Sequence, residues 1–434
     1  VWLAITGYVF YGYWDPRYCL LMAFTTTVSF LAGLGFLRVT SRRGRLLCLI
    51  LPITVDLCML GFFKYANFTM ASLRDVAGWL GWKFDVPYLD VILPVGISFY
   101  TFHTISYIVD SYRGVIRPTK NPFEFAAYVS LFSQLVAGPI VRFRQIEADL
   151  EAIGTARPTR WLGIGVAFFV YGLFEKVVVA DHLATYVDSS LAGYNTLSTA
   201  GAWLVMLGYT FQLYFDFCGY SDMAVGLGFL FGLRIPQNFN SPYQATDPAD
   251  FWRRWHISLS LCMRDYIYIP LGGSRQGNSA IYRNLMITML IGGLWHGASW
   301  TFVVWGAYHG VLLCLHRRFR DEWNRMPISL QRITTFLLVV VGWVFFRSTD
   351  FGMAATLLGT MFTRSAGSLG IDPGLGVAFL VPAALWSMAG PNAFELFANF
   401  RWRVWYGYAA SAAMAWCLTI LAMGRNSPFL YFQF

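Results

Sequence analysis

The stretch Leu285-Met-Ile-Thr-Met-Leu-Ile-Gly-Gly-Leu-Trp-His-Gly-Ala-Ser-Trp-Thr-Phe-Val303 contains no Asp, Glu, Lys or Arg. As a helix, a run of this length crosses a hydrocarbon core of about 30 Å. One ionisable side chain, His296, lies inside it. Counted from Asn284 at 1.5 Å per residue, His296 falls about 18 Å deep, near the bilayer midplane. An imidazole there is costly to hold and marks a functional site by default.

The rest of the chain agrees with that reading. Of 434 residues, 57% are hydrophobic and only 13% charged, about half the charge that keeps a soluble domain's surface wet. Further apolar blocks cover 161–179, 202–217, 334–346 and 406–423. Counting all such blocks predicts an all-α integral membrane protein with roughly ten spans. It reads as a single membrane domain over 1–434, with no repeat, low-complexity tract or soluble insertion. The aromatic share of 18% suits rings that settle at membrane interfaces.

The net charge of +9 is placed in short connections: Arg38, Arg42, Arg43 and Arg45; Arg113, Arg117 and Lys120; Arg142, Arg144, Arg157 and Arg160; Arg317, Arg318, Arg320 and Arg325. The stretch 181–199 has no Lys or Arg and reads as a loop on the opposite side. This asymmetry places the basic loops in the cytoplasm. No segment shows a basic face interleaved with aromatics, so nucleic acid is not an expected partner. The seven cysteines form no Cys-x-x-Cys pair and read as small core hydrophobes, with no metal expected. The chain opens on Val1 inside an apolar stretch and shows no signal-peptide pattern.

Two apolar segments, 123–140 and 251–271, have basic residues on both flanks. An ordinary span there would break the charge asymmetry, so both read as re-entrant or interfacial. Such backbone is tolerated only where protein or a water-filled cavity surrounds it, which predicts a funnel opening to the cytoplasm. The stretch 64–90 is more polar and is expected on the outer face.

Chemistry concentrates in three places. His296 is flanked by Gly292, Gly293 and Gly297, which let a backbone or substrate approach closely. His256 lies in Asp250-Phe-Trp-Arg-Arg-Trp-His-Ile-Ser-Leu-Ser260. Here Arg253 and Arg254, followed by Trp255, are expected to receive a phosphate-bearing donor, because each guanidinium donates two parallel hydrogen bonds; anchoring to lipid headgroups would use the same residues. Asp216, Tyr220 and Asp222 sit in an apolar region and need internal partners, so they either line or orient the site or serve structure, as does Trp295. A neutral imidazole in this setting takes the proton from an acceptor as it attacks a thioester. His103 lies inside a span, His309 about a turn from an interface, His316 among arginines and His182 in an outer loop. No Walker-type loop or Gly-x-Ser-x-Gly elbow is present, which excludes the usual ATP-driven pump and soluble serine esterase designs.

The combination resembles the membrane-bound O-acyltransferase (MBOAT) superfamily, most closely its bacterial alginate O-acetylation branch. The likeness is carried by Gly61-Phe-Phe-Lys-Tyr-Ala-Asn-Phe68, Leu93-Pro-Val-Gly-Ile-Ser-Phe-Tyr-Thr-Phe102, Gln134-Leu-Val-Ala-Gly-Pro-Ile140, Tyr214-Phe-Asp-Phe-Cys-Gly-Tyr-Ser-Asp-Met223, Asp250–Ser260, Arg264-Asp-Tyr-Ile-Tyr-Ile-Pro-Leu-Gly-Gly273, Gly293-Leu-Trp-His-Gly297 and the ending Ser427–Phe434. It implies transmembrane and re-entrant helices around a central tunnel, His296 as the catalytic residue and His256 as the second signature residue. It also implies acetyl-CoA as cytoplasmic donor, periplasmic polysaccharide O-acetylation proteins as partners, and a bacterial inner (cytoplasmic) membrane location. By the same resemblance, about 40 residues, one further span and its loop, are expected to precede Val1. The stretch 363–400 matches no motif. Competing readings are D-alanyl transfer to teichoic acid, which shares Trp-His-Gly, a proton-coupled transporter, and a non-catalytic scaffold.

Overall fold

A computed structural model gives the fold, and it describes all residues except 83–88, 90, 136–137, 155–158, 371, 373, 375, 425–429 and 431–434. The described residues are helices joined by turns, with one isolated bridge between Leu197 and Ser368. Five helical stretches are long and apolar enough to cross a membrane: Arg17–Arg38, Arg42–Trp79, Trp161–Ala192, Ile328–Arg347 and Val404–Ala422. The chain is a multi-pass, all-helical membrane protein. It gathers into two compact units, residues 1–156 with 233–235, and residues 157–232 with 236–434.

The first unit runs α1 (Trp2–Trp14), α2 (Arg17–Arg38), α3 (Arg42–Leu60), α4 (Ala66–Trp79), α5 (Ile97–Tyr112), α6 (Pro122–Val129), α7 (Phe132–Leu135) and α8 (Phe143–Ala152). The polar stretch expected on the outer face is helical over much of its length, since a π turn at Gly61–Tyr65 carries α3 directly into α4. Only its far part, 83–88 and 90, falls outside the described residues. Inside α2, α3 and α5 a buried Thr104 hydroxyl donates to Asp56 at 2.6 Å. This partner lets a carboxyl sit among apolar helices, where an unpaired one would be costly. The 123–140 segment forms two helices of 8 and 4 residues, each far too short to span; Val136 and Ala137 of its motif lie outside the described residues.

The second unit contains α9 (Thr159–Phe174), α10 (Asp181–Ala192), α11 (Thr199–Leu230), α12 (Pro248–Arg254), α13 (Ile257–Met263), α14 (Asn278–His296), α15 (Trp300–Arg318), α16 (Arg320–Asn324), α17 (Ile328–Arg347), α18 (Phe351–Phe362), α19 (Val381–Ala389), α20 (Ala393–Phe397) and α21 (Val404–Ala422). The expected loop at 181–199 is largely helix, because a π turn at Glu175–Ala180 joins α9 to α10 with no breaker before Gly193. α9 and α11 pack backbone to backbone through two glycine pairs. A Cβ on Gly172 would stand 2.4 Å from the Gly219 carbonyl, and one on Gly226 2.7 Å from that of Gly165. Small residues allow this approach, and dispersion between the closed surfaces holds the pair.

The opening 285–303 block is not one span. α14 ends at His296, Gly297 is extended (φ −157°, ψ 150°), and Ser299 caps α15 by accepting from the Thr301 N–H. A single apolar run therefore becomes the closed end of an antiparallel hairpin, since hydropathy does not register a three-residue reversal at 297–299. Gly293 makes the hairpin tight, as a Cβ there would lie 2.2 Å from the Phe302 carbonyl. Of the seven cysteines only Cys218, Cys262 and Cys417 are buried, and Cys58 is exposed on α3, so the core reading holds for fewer than half.

Candidate active site

His256 and His296 meet. Their ring centroids are 6.5 Å apart, although one sits between two seven-residue helices and the other ends α14. The expected re-entrant segment 251–271 is thus broken in the middle, and the break is what presents the imidazole. His256 itself has left-handed backbone (φ 43°, ψ 56°). Together with Ser241 it is one of two non-glycine positive-φ residues among the described ones. Such backbone costs of order 1–3 kcal/mol and persists only where neighbours fix it.

Asn238 does the fixing. Its carbonyl accepts from the Ile257 N–H at 2.8 Å. Its side-chain oxygen accepts from the Ser258 N–H (3.3 Å) and the Ser258 hydroxyl (2.8 Å), while its amide nitrogen donates to Ser221 at 3.1 Å. That same oxygen stands 3.1 Å from His256 Nδ1. A backbone N–H only donates, so the atom facing Ser258 is the oxygen, and Nδ1 must carry the proton that points at it. The neutral ring then keeps its lone pair on Nε2, which is buried and has no hydrogen-bond partner among the described residues. The ring is thereby held in one orientation with a lone pair on its inner nitrogen.

His296 is buried among rings: Trp295 at 5.1 Å, Trp305 at 5.0 Å and Phe346 at 5.3 Å between centroids. Trp295 also lies 5.9 Å from His256, so it touches both imidazoles. The three flanking glycines separate in role. Gly293 serves the hairpin, and Gly297 fits the Phe302 ring, whose edge would be 2.2 Å from a Cβ. Gly292, one turn before His296, is buried yet faces open space, with nothing within 4 Å of where a Cβ would stand. That space is room beside the site.

The other expected residues take different places. Arg254 donates to Asp250 at 3.0 Å and to the Asn240 carbonyl at 3.2 Å. Arg253 is exposed and reaches Asp250 at 3.4 Å and Asp247 at 3.8 Å. Trp255, expected beside a donor, is 2% exposed and packs on Phe251, Tyr243, Phe239 and Trp343. Asp216 is bound to Lys176, which also holds Asp181 at 2.7 Å, and accepts from the Leu430 N–H at 2.9 Å. Tyr220 is half-buried on the same helix. Asp222 is buried beside Glu175 and Cys218, with their ligand atoms all within 4.8 Å of one another. These three are the one set among the described residues with metal-ligand spacing, and the neighbours of Cys218 and Asp222 on α11 reach the histidine site, Phe217 at 4.7 Å from the His256 ring and Ser221 through Asn238.

Three participants had no clear mark in the sequence. Asn238 is eighteen residues before the histidine it orients and looks like any loop asparagine. Ser258 reads as an ordinary helix residue. His309 is buried 5.0 Å from Trp305 and 5.2 Å from Trp252, so it extends the aromatic cluster. The Trp305/His309 spacing of one helical turn is the signal that would have found it. The unmatched 363–400 stretch has a use as well: Asn392 donates to Asn240 at 3.1 Å and to Ser241 at 3.2 Å, bracing the loop that carries Asn238. His103 belongs to the first unit, buried against Tyr128.

Comparisons with known proteins fit this arrangement. The family model described as MBOAT, membrane-bound O-acyltransferase family, matches residues 52–349. A "Probable alginate O-acetylase" of Pseudomonas aeruginosa is 44% identical over 366 residues, covering 83% of this chain and 69% of that protein. A peptidoglycan O-acetyltransferase of Helicobacter pylori is 36% identical over 398 residues, covering 85% and 75%. A teichoic acid D-alanyltransferase of Bacillus subtilis is 28% identical over 257 residues, covering 57% and 65%. The matched region contains both histidines and every residue that orients them except Asn392, and the chain belongs to the membrane-bound O-acyltransferase family.

Proposed function

We propose that this O-acyltransferase takes an acetyl group from acetyl-CoA on the cytoplasmic side of the bacterial inner membrane and passes it across for O-acetylation of an exported polysaccharide. The observation that carries the reading is the meeting of His256 and His296, one with an oriented lone pair and both shielded from solvent. Alginate is the first polymer to test, because relatives named alginate O-acetylases share 44% identity; periplasmic polysaccharide O-acetylation proteins are the proposed partners. In this reading roughly ten spans and the short broken helices enclose a tunnel that joins the two sides.

The chemistry needs one proton moved twice. A histidine nitrogen removes the proton from the acceptor hydroxyl as its oxygen attacks the thioester carbonyl. The carbon–sulfur bond then breaks, and the thiolate recovers the proton from the imidazolium. His296 is assigned the proton transfer, His256 the second polar contact, and Asn238 the positioning of His256. A dry, ring-lined site strengthens each of these interactions.

The test is polymer acetylation in cells carrying His296→Ala, His256→Ala or the unaltered chain, with membrane levels checked by blot. Loss with His296→Ala at normal level is the expected result. Full acetylation by His296→Ala ends the mechanism. Supplying acetyl-CoA or an aminoacyl carrier protein to membranes separates acetyl from D-alanyl transfer.

A further inference from the structure

A second charged feature lies at the far end of the α14–α15 hairpin. There Asn278, Tyr282, Arg317, Arg318, Arg320 and Asp321 line a cavity of about 360 Å³. α14 starts at this cavity and ends at His296, so the two ends of one helix are about 27 Å apart at 1.5 Å per residue. The first-turn N–H groups of α14 have no side-chain cap. Three guanidiniums face one carboxylate, that of Asp321, within this lining. By contrast, Arg254 is tied to Asp250 and Asn240, and Arg253 to Asp247 and Asp250. The arginines near His256 are therefore already occupied by their own segment. Those of the cavity are the ones arranged around an opening.

We infer that the cavity at Asn278, Arg317, Arg318 and Arg320 is a binding site for phosphate groups. Guanidiniums pair with phosphate oxygens through two parallel hydrogen bonds, and free helix N–H groups favour the same charge. Asp321 disfavours an anion and sets the orientation of whichever guanidinium it approaches. A nucleotide-type donor and an anionic lipid headgroup present the same chemistry. As the donor's site, the inference rests on the acyl-transfer reading above: a donor held by its phosphates here must be long and extended to bring a thioester to His296, and a nucleotide–pantetheine thioester is that.

The whole chain is purified into phosphatidylcholine nanodiscs and titrated with 3′,5′-ADP, which carries phosphates but no thioester. The unaltered protein is expected to bind saturably, less tightly as salt is raised. Arg317→Gln/Arg320→Gln is expected to bind about tenfold or more weakly, with Arg253→Gln close to the unaltered protein. His296→Ala is expected to bind normally, so that normal binding together with full acetylation by His296→Ala would sink the transfer mechanism and leave the site standing. A parallel arm uses nanodiscs containing phosphatidylglycerol and mass spectrometry of retained lipid. Phosphatidylglycerol held by the unaltered chain and lost from the double variant, without 3′,5′-ADP binding, assigns the site to a headgroup. If neither probe distinguishes the double variant from the unaltered chain, the site does not exist.

Discussion

Two places in the second unit bury ionisable side chains, and they do it in opposite ways. On the α9–α11 seam, Lys176 is shared between Asp181 and Asp216, and Asp216 also accepts from the Leu430 N–H. Lys176 sits in the π turn that follows α9, and α9 and α11 beside it are in close glycine contact. At the histidine pair, His256 stands in left-handed backbone and its Nε2 has no partner among the described residues. Mutual satisfaction is what a scaffold needs, because an unpaired buried charge is costly. A held base with an unused lone pair lowers stability and gains nothing structurally. Strained backbone beside an unpartnered ring nitrogen is the pattern expected where binding or chemistry, and not stability, sets the arrangement.

This contrast is open to attack by mutation. The largest effect is expected from His296→Ala: loss of about 10²–10⁴ in transfer rate at unchanged membrane level, read by acetyl content and blot. Lys176→Met attacks the other side of the comparison. It strands two carboxylates and is expected to cost about 3–5 kcal/mol, seen as lost protein and lowered thermal stability in detergent, with activity per folded molecule retained. Were Lys176→Met to fold normally and fail only in transfer, the seam would be part of the active machinery. Asn238→Ala should fall between them. It removes an oxygen that accepts from His256 and Ser258, so about 1–3 kcal/mol is expected, with transfer falling more than protein level. Asn238→Asp, which keeps the acceptor, should recover part of the loss.

The glycines sharpen the same comparison at smaller scale. Gly293→Ala forces a Cβ to 2.2 Å from the Phe302 carbonyl and is expected to destabilise by about 1–3 kcal/mol. Gly292→Ala meets open space and should change stability by less than about 1 kcal/mol. Gly292→Leu, which fills that space, is expected to reduce transfer without loss of protein. Equal protein levels for Gly293→Ala and Gly292→Ala would show that the hairpin is looser than its geometry.

Hydropathy, charge placement and motif spacing carried the sequence a long way. The apolar blocks and the arginine asymmetry made the chain a membrane protein, and the Trp-His-Gly and Trp-Arg-Arg-Trp-His segments marked two histidines that the fold brings together. The same reading gave Arg253, Arg254 and Trp255 one role, whereas the fold divides them among a surface ion pair, a loop clamp and the aromatic core. It also took 285–303 for one span. Apolar character is summed over a window and belongs to the residues themselves, so it survives in the sequence. Whether Gly297 reverses the chain, whether Asn238 or another polar group faces His256, and whether Asp216 finds Lys176 depend on distances between segments far apart in the chain. Those distances are set only when the helices pack, by excluded volume and by the cost of leaving a buried polar group unpaired. The sequence alone determined the solvent, the helices and the chemical groups; the tertiary structure decided which of those groups pair with one another and which are gathered at the histidine pair.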